Sequence, residues 1–113
     1  MPIPPFDFPS RLRVGVVGCR GMGIHHAHNF ASLPEYQLVA ACDLLPEATG
    51  HLTAVFPAVK AYTDFAEMLR DARPEVVVVS TGTAVHYPLV MQAARAPGVK
   101  IIYCEKPMSV SLG

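Results

Sequence analysis

The chain has 113 residues, 51% of them hydrophobic and 16% charged, with nine Lys+Arg against nine Asp+Glu. That length sets one domain, able to bury roughly 65% of the surface its unfolded form exposes. The balanced charge excludes the basic footprint of a nucleic-acid binder, no apolar run approaches the ~20 residues of a membrane span, and the opening MPIPPFDFPS lacks the basic and apolar regions of a secretory signal.

Residues 1–10 carry four prolines and read as a flexible Pro-rich leader. Residues 12–17 (LRVGVV) read as a first strand, buried on both faces because its apolar character is nearly unbroken. Three glycines follow, Gly18, Gly21 and Gly23, and residues 21–33 read as a helix stopped by Pro34. A second strand, 37–42 (QLVAAC), is closed by Asp43. A second helix starts at Pro46, with Ala48, Leu52, Val55 and Phe56 as its apolar stripe, and ends at Pro57. Residues 59–62 form a short third strand. Asp64 and Glu67 make a capping box for a third helix with Phe65, Met68, Leu69 and Ala72 inward. Residues 75–80 (EVVVVS) are the clearest strand, residues 81–83 a turn, 86–96 a fourth helix with Pro88 in its first turn, and 99–104 (VKIIYC) a fifth strand.

Five strands alternating with helices imply an α/β fold, a doubly wound parallel (Rossmann) sheet in the order 3-2-1-4-5. Ligands of such sheets sit at the carboxyl ends of the strands where the order reverses, here strands 1 and 4. Residues 18–23, Asp43, residues 80–83 and residues 105–107 all fall there.

A strand feeding a glycine turn and a helix is how a chain holds a diphosphate: the backbone comes close, and the helix start offers N–H groups and partial positive charge. The dinucleotide pattern G-x-G-x-x-G would place glycines at 18, 20 and 23; here Arg20 stands at the second position and Gly21 follows. Gly21 can take over the close approach, with Arg20 pointing away or pairing with a phosphate. Asp43, 25 residues after Gly18, can accept hydrogen bonds from a ribose diol, or cap the next helix through Pro46. A carboxylate there repels a 2′-phosphate, and Leu44 and Leu45 offer no cation for one, which favours NAD over NADP. His86 reads as a crevice ligand or as a helix cap. Lys106, beside Glu105, can bond ribose or substrate oxygens, donate a proton if desolvated, or remain a solvated charge. No metal site is expected: His25, His26 and His28 have no acid in their helix, and the three cysteines, Cys19, Cys42 and Cys104, lack ligand spacing and read as reduced thiols of a cytoplasmic protein.

G-x-x-G-M-G-x-x-H-A at residues 18–27, Asp43, Thr81 to His86, and Glu105-Lys106-Pro107 together resemble the glucose-fructose oxidoreductase/inositol dehydrogenase (Gfo/Idh/MocA) family over residues 11–113. The resemblance implies an NAD(P)-dependent oxidoreductase passing a hydride between nicotinamide and a sugar, cyclitol or related polyol. It makes Gly18, Arg20, Gly21, Met22, Gly23, Asp43, Thr81, Thr83, His86, Glu105 and Lys106 the cofactor-binding set. Lys106 becomes the catalytic residue, Lys106–Pro107 a candidate cis bond, and His26 a structural position. The family carries a second α/β domain that supplies most of the substrate pocket and often the oligomer interface. Gly113 falls before the sixth strand, so the expectation is an N-terminal fragment that binds cofactor without turnover, from a full-length homo-oligomer. Two rival readings share the glycine turn and the acid: a non-catalytic dinucleotide-sensing module, and an S-adenosylmethionine methyltransferase, against which the E-K-P segment argues.

Overall fold

The computed structural model describes residues 11–19, 21–81 and 83–104, with only the backbone of 83–86. The leader, Arg20, Glu105, Lys106 and the Lys106–Pro107 bond lie outside the described residues. Five strands, β1 (Leu12–Val17), β2 (Tyr36–Cys42), β3 (Lys60–Tyr62), β4 (Val76–Val79) and β5 (Ile101–Cys104), pair in parallel in the order β3-β2-β1-β4-β5. The helices are α1 (Met22–Ala31), α2 (Gly50–Val55), α3 (Phe65–Ala72) and α4 (Thr83–Arg95).

The four valines of β4 explain why the molecule has two helical layers. All four have 0% exposure. A strand presents alternate residues to opposite faces, so Val76 and Val78 pack with Ala27 of α1 and Leu52 of α2, while Val77 and Val79 pack with Met68 of α3 and Ala93 of α4. Each buried valine contributes about 1.5–3 kcal/mol, which is why a run of β-branched residues is retained here.

Local chemistry moves several boundaries. α1 stops at Ala31, two residues early, because the Ser32 hydroxyl donates to the Asn29 carbonyl at 2.8 Å and tightens the last turn. The helix expected at Pro46 begins as a 3-10 turn (Pro46–Thr49) before α2, and Val55 is half exposed rather than inward. α3 is capped as expected: the Ala66 N–H donates to Asp64 Oδ1 at 3.0 Å. α4 begins at Thr83, three residues earlier than expected, so Pro88 lies inside the helix and not in its first turn. Its missing N–H leaves the Ala84 carbonyl without the usual i−4 partner.

Arg73 ends α3 in the left-handed conformation, with φ 49° and ψ 58°. Its carbonyl accepts both Nε and Nη2 of Arg13, at 3.1 and 2.9 Å. A side chain at such a position costs about 1 kcal/mol relative to glycine. Arg73→Gly keeps the carbonyl and is expected to raise stability by about 1 kcal/mol in urea unfolding; a lower midpoint would contradict this account of the turn.

Glu75 ties three strands together at the amino end of the sheet. Its carboxylate accepts the Arg13 backbone N–H at 3.0 Å and lies 3.6 Å from the Arg13 guanidinium and 3.5 Å from Lys100 Nζ. The Arg13 N–H first, and then the two cations, hold its carboxyl below the ordinary glutamate value. A lowered folded value means stabilisation that is complete above about 4.3, the free glutamate value, and lost as pH falls through the lowered one. Glu75→Gln is expected to cost about 1–2 kcal/mol at neutral pH. Urea unfolding at stepped pH should show the two chains converging in acid; a gap independent of pH would exclude the carboxylate as its source.

Candidate functional site

The site is built where β1, β2 and β4 end together. The chain leaves β1 at Gly18, whose N–H donates to the Cys42 carbonyl at 2.9 Å, while the Ser80 N–H donates to the Val17 carbonyl at 2.9 Å. Gly18 has φ 92°, and a Cβ there would meet the Ser80 carbonyl group and stand 2.9 Å from Thr81 Cγ2. Gly23, five residues on and already in α1, rests against the Gly18 carbonyl, where a side chain has no room. These two contacts draw the end of β1, the start of α1 and the end of β4 into one tight corner. α1 then begins at Met22 with no side-chain cap and no acid in its first turn. An uncapped helix start of this kind suits an anionic ligand.

Asp43 is the charged centre of the corner. Its backbone N–H donates to the Tyr62 carbonyl at 3.0 Å, which fixes it to the end of β3. Its Oδ2 accepts the Cys19 N–H at 2.9 Å and its Oδ1 accepts the Leu45 N–H at 3.1 Å. One carboxylate thus holds the glycine turn and the segment after β2 in a fixed relation. Each carboxylate oxygen can accept about two hydrogen bonds, so both retain capacity for a further donor. The helix-capping reading through Pro46 is replaced by this Leu45 contact.

A cleft of about 570 Å³ opens beside Asp43, lined by Gly18, Leu44, Leu45, Phe65, Thr81 and Leu89 among others. Its size and its mostly apolar wall with a few polar groups are those of a small-molecule site. The Thr81 hydroxyl oxygen is buried there with no hydrogen-bond partner among the described residues. A buried hydroxyl left so costs about 1–3 kcal/mol, and a ligand in the cleft would supply its partner.

The neighbouring thiols are not nucleophiles. Cys19 is fully buried and its Sγ lies 3.3 Å from the Cys42 carbonyl. Burial, then the Asp43 carboxylate and Cys42, push its thiol up to about 12; burial and then the Asp43 and Asp64 carboxylates push Cys42 to about 11. His26 is buried edge-on against Tyr103, with ring centres 5.0 Å apart, as a structural residue would be. Among the described residues no three His, Cys, Asp or Glu side chains gather as a metal site requires.

Of the residues named from sequence, Gly18, Asp43 and Thr81 meet in the cleft, with Ser80 beside them. Gly21, Met22 and Gly23 stand at the start of α1, outside the cleft wall. Thr83 and His86 fall on α4, where only the backbone is described; Arg20, Glu105 and Lys106 lie outside the described residues. Sequence reasoning assigned Phe65 to the core stripe and gave Leu89 no role. Phe65 follows the Asp64 cap at the carboxyl end of β3, and that position was the available signal.

The family profile GFO_IDH_MocA, described as an oxidoreductase family with an NAD-binding Rossmann fold, matches residues 12–113. The chain is 32% identical over 101 residues to a myo-inositol 2-dehydrogenase of Thermotoga maritima, covering 89% of this chain and 30% of that protein. It is 35% identical over 103 residues to an inositol 2-dehydrogenase of Rubrobacter xylanophilus, covering 90% and 29%. The fold superposes with a TM-score of 0.74 and 31% identity on GenD2 from gentamicin A biosynthesis in complex with NAD, over 81% of this chain and 26% of that one. The chain spans about 30% of the length of the curated relatives it matches.

Proposed function

The chain belongs to the GFO_IDH_MocA oxidoreductase family and carries its NAD-binding Rossmann fold, and on that footing we propose that the corner at Gly18, Asp43 and Thr81 seats the dinucleotide of a polyol dehydrogenase. The observation that carries this reading is Asp43, its two oxygens fixed by the Cys19 and Leu45 N–H groups at the lip of the cleft. Prepositioned in this way, it accepts the hydroxyls of the adenosine ribose at no cost in side-chain freedom. The uncapped start of α1 would hold the diphosphate, Leu44 and Leu45 would line the site of the base, and the Thr81 hydroxyl would gain its missing partner. Gly21, Met22 and Gly23 supply backbone rather than side chains to this arrangement.

When bound, the nicotinamide would supply the carrier of the hydride. Lys106, by the family resemblance, contacts the substrate hydroxyl or the nicotinamide ribose and takes part in proton transfer, with Glu105 holding it; Arg20, Thr83 and His86 complete the cofactor contacts. The inositol dehydrogenases among the relatives support a cyclitol, sugar or related polyol as substrate of the whole enzyme; a homo-oligomeric state follows from the family resemblance alone. A cytoplasmic setting accords with the buried Cys19 and Cys42 being free thiols, and among the described residues no helix is long and apolar enough to cross a membrane.

Titration of the 113-residue chain with NADH, read by nucleotide fluorescence, is expected to saturate at one site per chain. NADPH should bind at least about tenfold more weakly, because its 2′-phosphate would meet the Asp43 carboxylate. Absence of saturation into the millimolar range would remove the cofactor reading. Equal affinity for the two nucleotides would remove the role given to Asp43.

A further inference from the structure

A second cleft, of about 270 Å³, lies between the C-terminal ends of α3 and α4, at the end of the sheet remote from the glycine turn. Leu69 and Ala96 form an apolar part of its wall, and Arg70, Arg73, Arg95 and Gln92 line the rest. No carboxylate among the described residues forms an ion pair with any of these three arginines. Asp71, next in the chain to Arg70, senses its charge but makes its contacts to Lys60 at 3.1 Å and to the Tyr62 hydroxyl, and Glu75 serves Arg13 and Lys100.

Arg70 and Arg95 stand in the last turns of their helices, where a cation complements the unpaired carbonyls. That leaves Arg73 unexplained. It lies past the end of α3 at φ 49°, a conformation that favours glycine, and its structural contribution, the carbonyl that holds Arg13, requires no side chain. An arginine is nevertheless placed there, aimed at the same cleft as the other two.

We propose that this cleft binds a compact, multiply charged oxyanion, a phosphate or a polycarboxylate, gripped by Arg70, Arg73 and Arg95. Guanidinium forks match the paired oxygens of such groups, and the Gln92 amide adds a neutral donor. The site is separate from the dinucleotide corner and does not depend on that assignment.

The test is a titration of the ¹⁵N-labelled full chain with inorganic pyrophosphate and, separately, citrate, at constant ionic strength, followed at backbone amides. Amide resolution separates this cleft from the glycine turn, which can itself attract pyrophosphate. Saturable shifts are expected at residues 69–73 and 92–96. Arg73→Gly, a variant expected to be more stable than the parent, should weaken the effect about tenfold, as should Arg95→Gln, while Arg11→Gln leaves it unchanged. Tighter binding of pyrophosphate assigns the site to phosphates, and tighter binding of citrate to polycarboxylates. Shifts that stay linear in concentration, shifts confined to the glycine turn, or an undiminished response in Arg73→Gly would overturn the proposal.

Discussion

Gly18→Ala is expected to destabilise the chain by about 3–5 kcal/mol and to abolish dinucleotide binding, since two separate penalties fall on one atom. The backbone at Gly18 has φ 92°, which an L side chain rarely adopts. The new methyl would also meet the Ser80 carbonyl group, standing 2.7 Å from its carbon, and Thr81 Cγ2 at 2.9 Å. Neither neighbour can withdraw easily. The Ser80 N–H is bound to Val17 and the Gly18 N–H to Cys42, so relief at one point breaks a bond at another. Gly21→Ala is the control: its φ of 56° brings strain, but among the described residues nothing beyond its chain neighbours lies within 4 Å of the added atom. It should cost only about 1–2 kcal/mol. Urea midpoints of the two variants measure the difference directly, and equal midpoints would mean that the corner is looser than its contacts imply.

Asp43→Asn is expected to act on folding and on binding together. The aspartate offers one acceptor oxygen to Cys19 N–H and the other to Leu45 N–H. Asparagine has a single oxygen, and its NH₂ would face whichever N–H remains. The lost bond is expected to cost about 1–3 kcal/mol of stability. NADH affinity should fall about tenfold or more, both through the lost ribose acceptor and through the freed turn, while NADPH should lose less because the charge opposing its phosphate is gone. Fluorescence titrations with both nucleotides, beside a urea curve, separate the effects. If NADH binds the variant as tightly as the parent, Asp43 serves the turn alone.

The layout of the sheet was legible because its signals are local. Four valines in a row permit little besides a buried strand, and a proline or a tight turn after each helix marks its end. Glycines at 18 and 23 and an acid at 43 could be joined because the topology brings the ends of β1 and β2 side by side. The start of α4 was misplaced because Thr81-Gly82-Thr83 carries strong turn chemistry, yet the helix begins at Thr83 and accommodates Pro88 internally. The apolar wall of the cleft escaped for a different reason. Phe65 is buried in the core, as its place in the α3 stripe predicts, and Leu89 packs against the same cluster, so only their position at the cleft shows that they also form its wall. The arginine cleft had no signature at all, since Arg70, Arg73 and Arg95 meet only when α3 packs beside α4.

The alternation of the β4 valines bears on how the chain comes apart. Val76 and Val78 belong to one helical layer, and Val77 and Val79 to the other. One strand is thus the common wall of two apolar compartments. A fluctuation large enough to lift β4 would expose both compartments to water at once. A shared wall of this kind makes opening all-or-none at the centre and confines piecemeal fraying to the outer strands. The corner at Gly18 is anchored to β4 through Ser80. A ligand that settles there and binds only the folded chain would stabilise the whole domain rather than one loop.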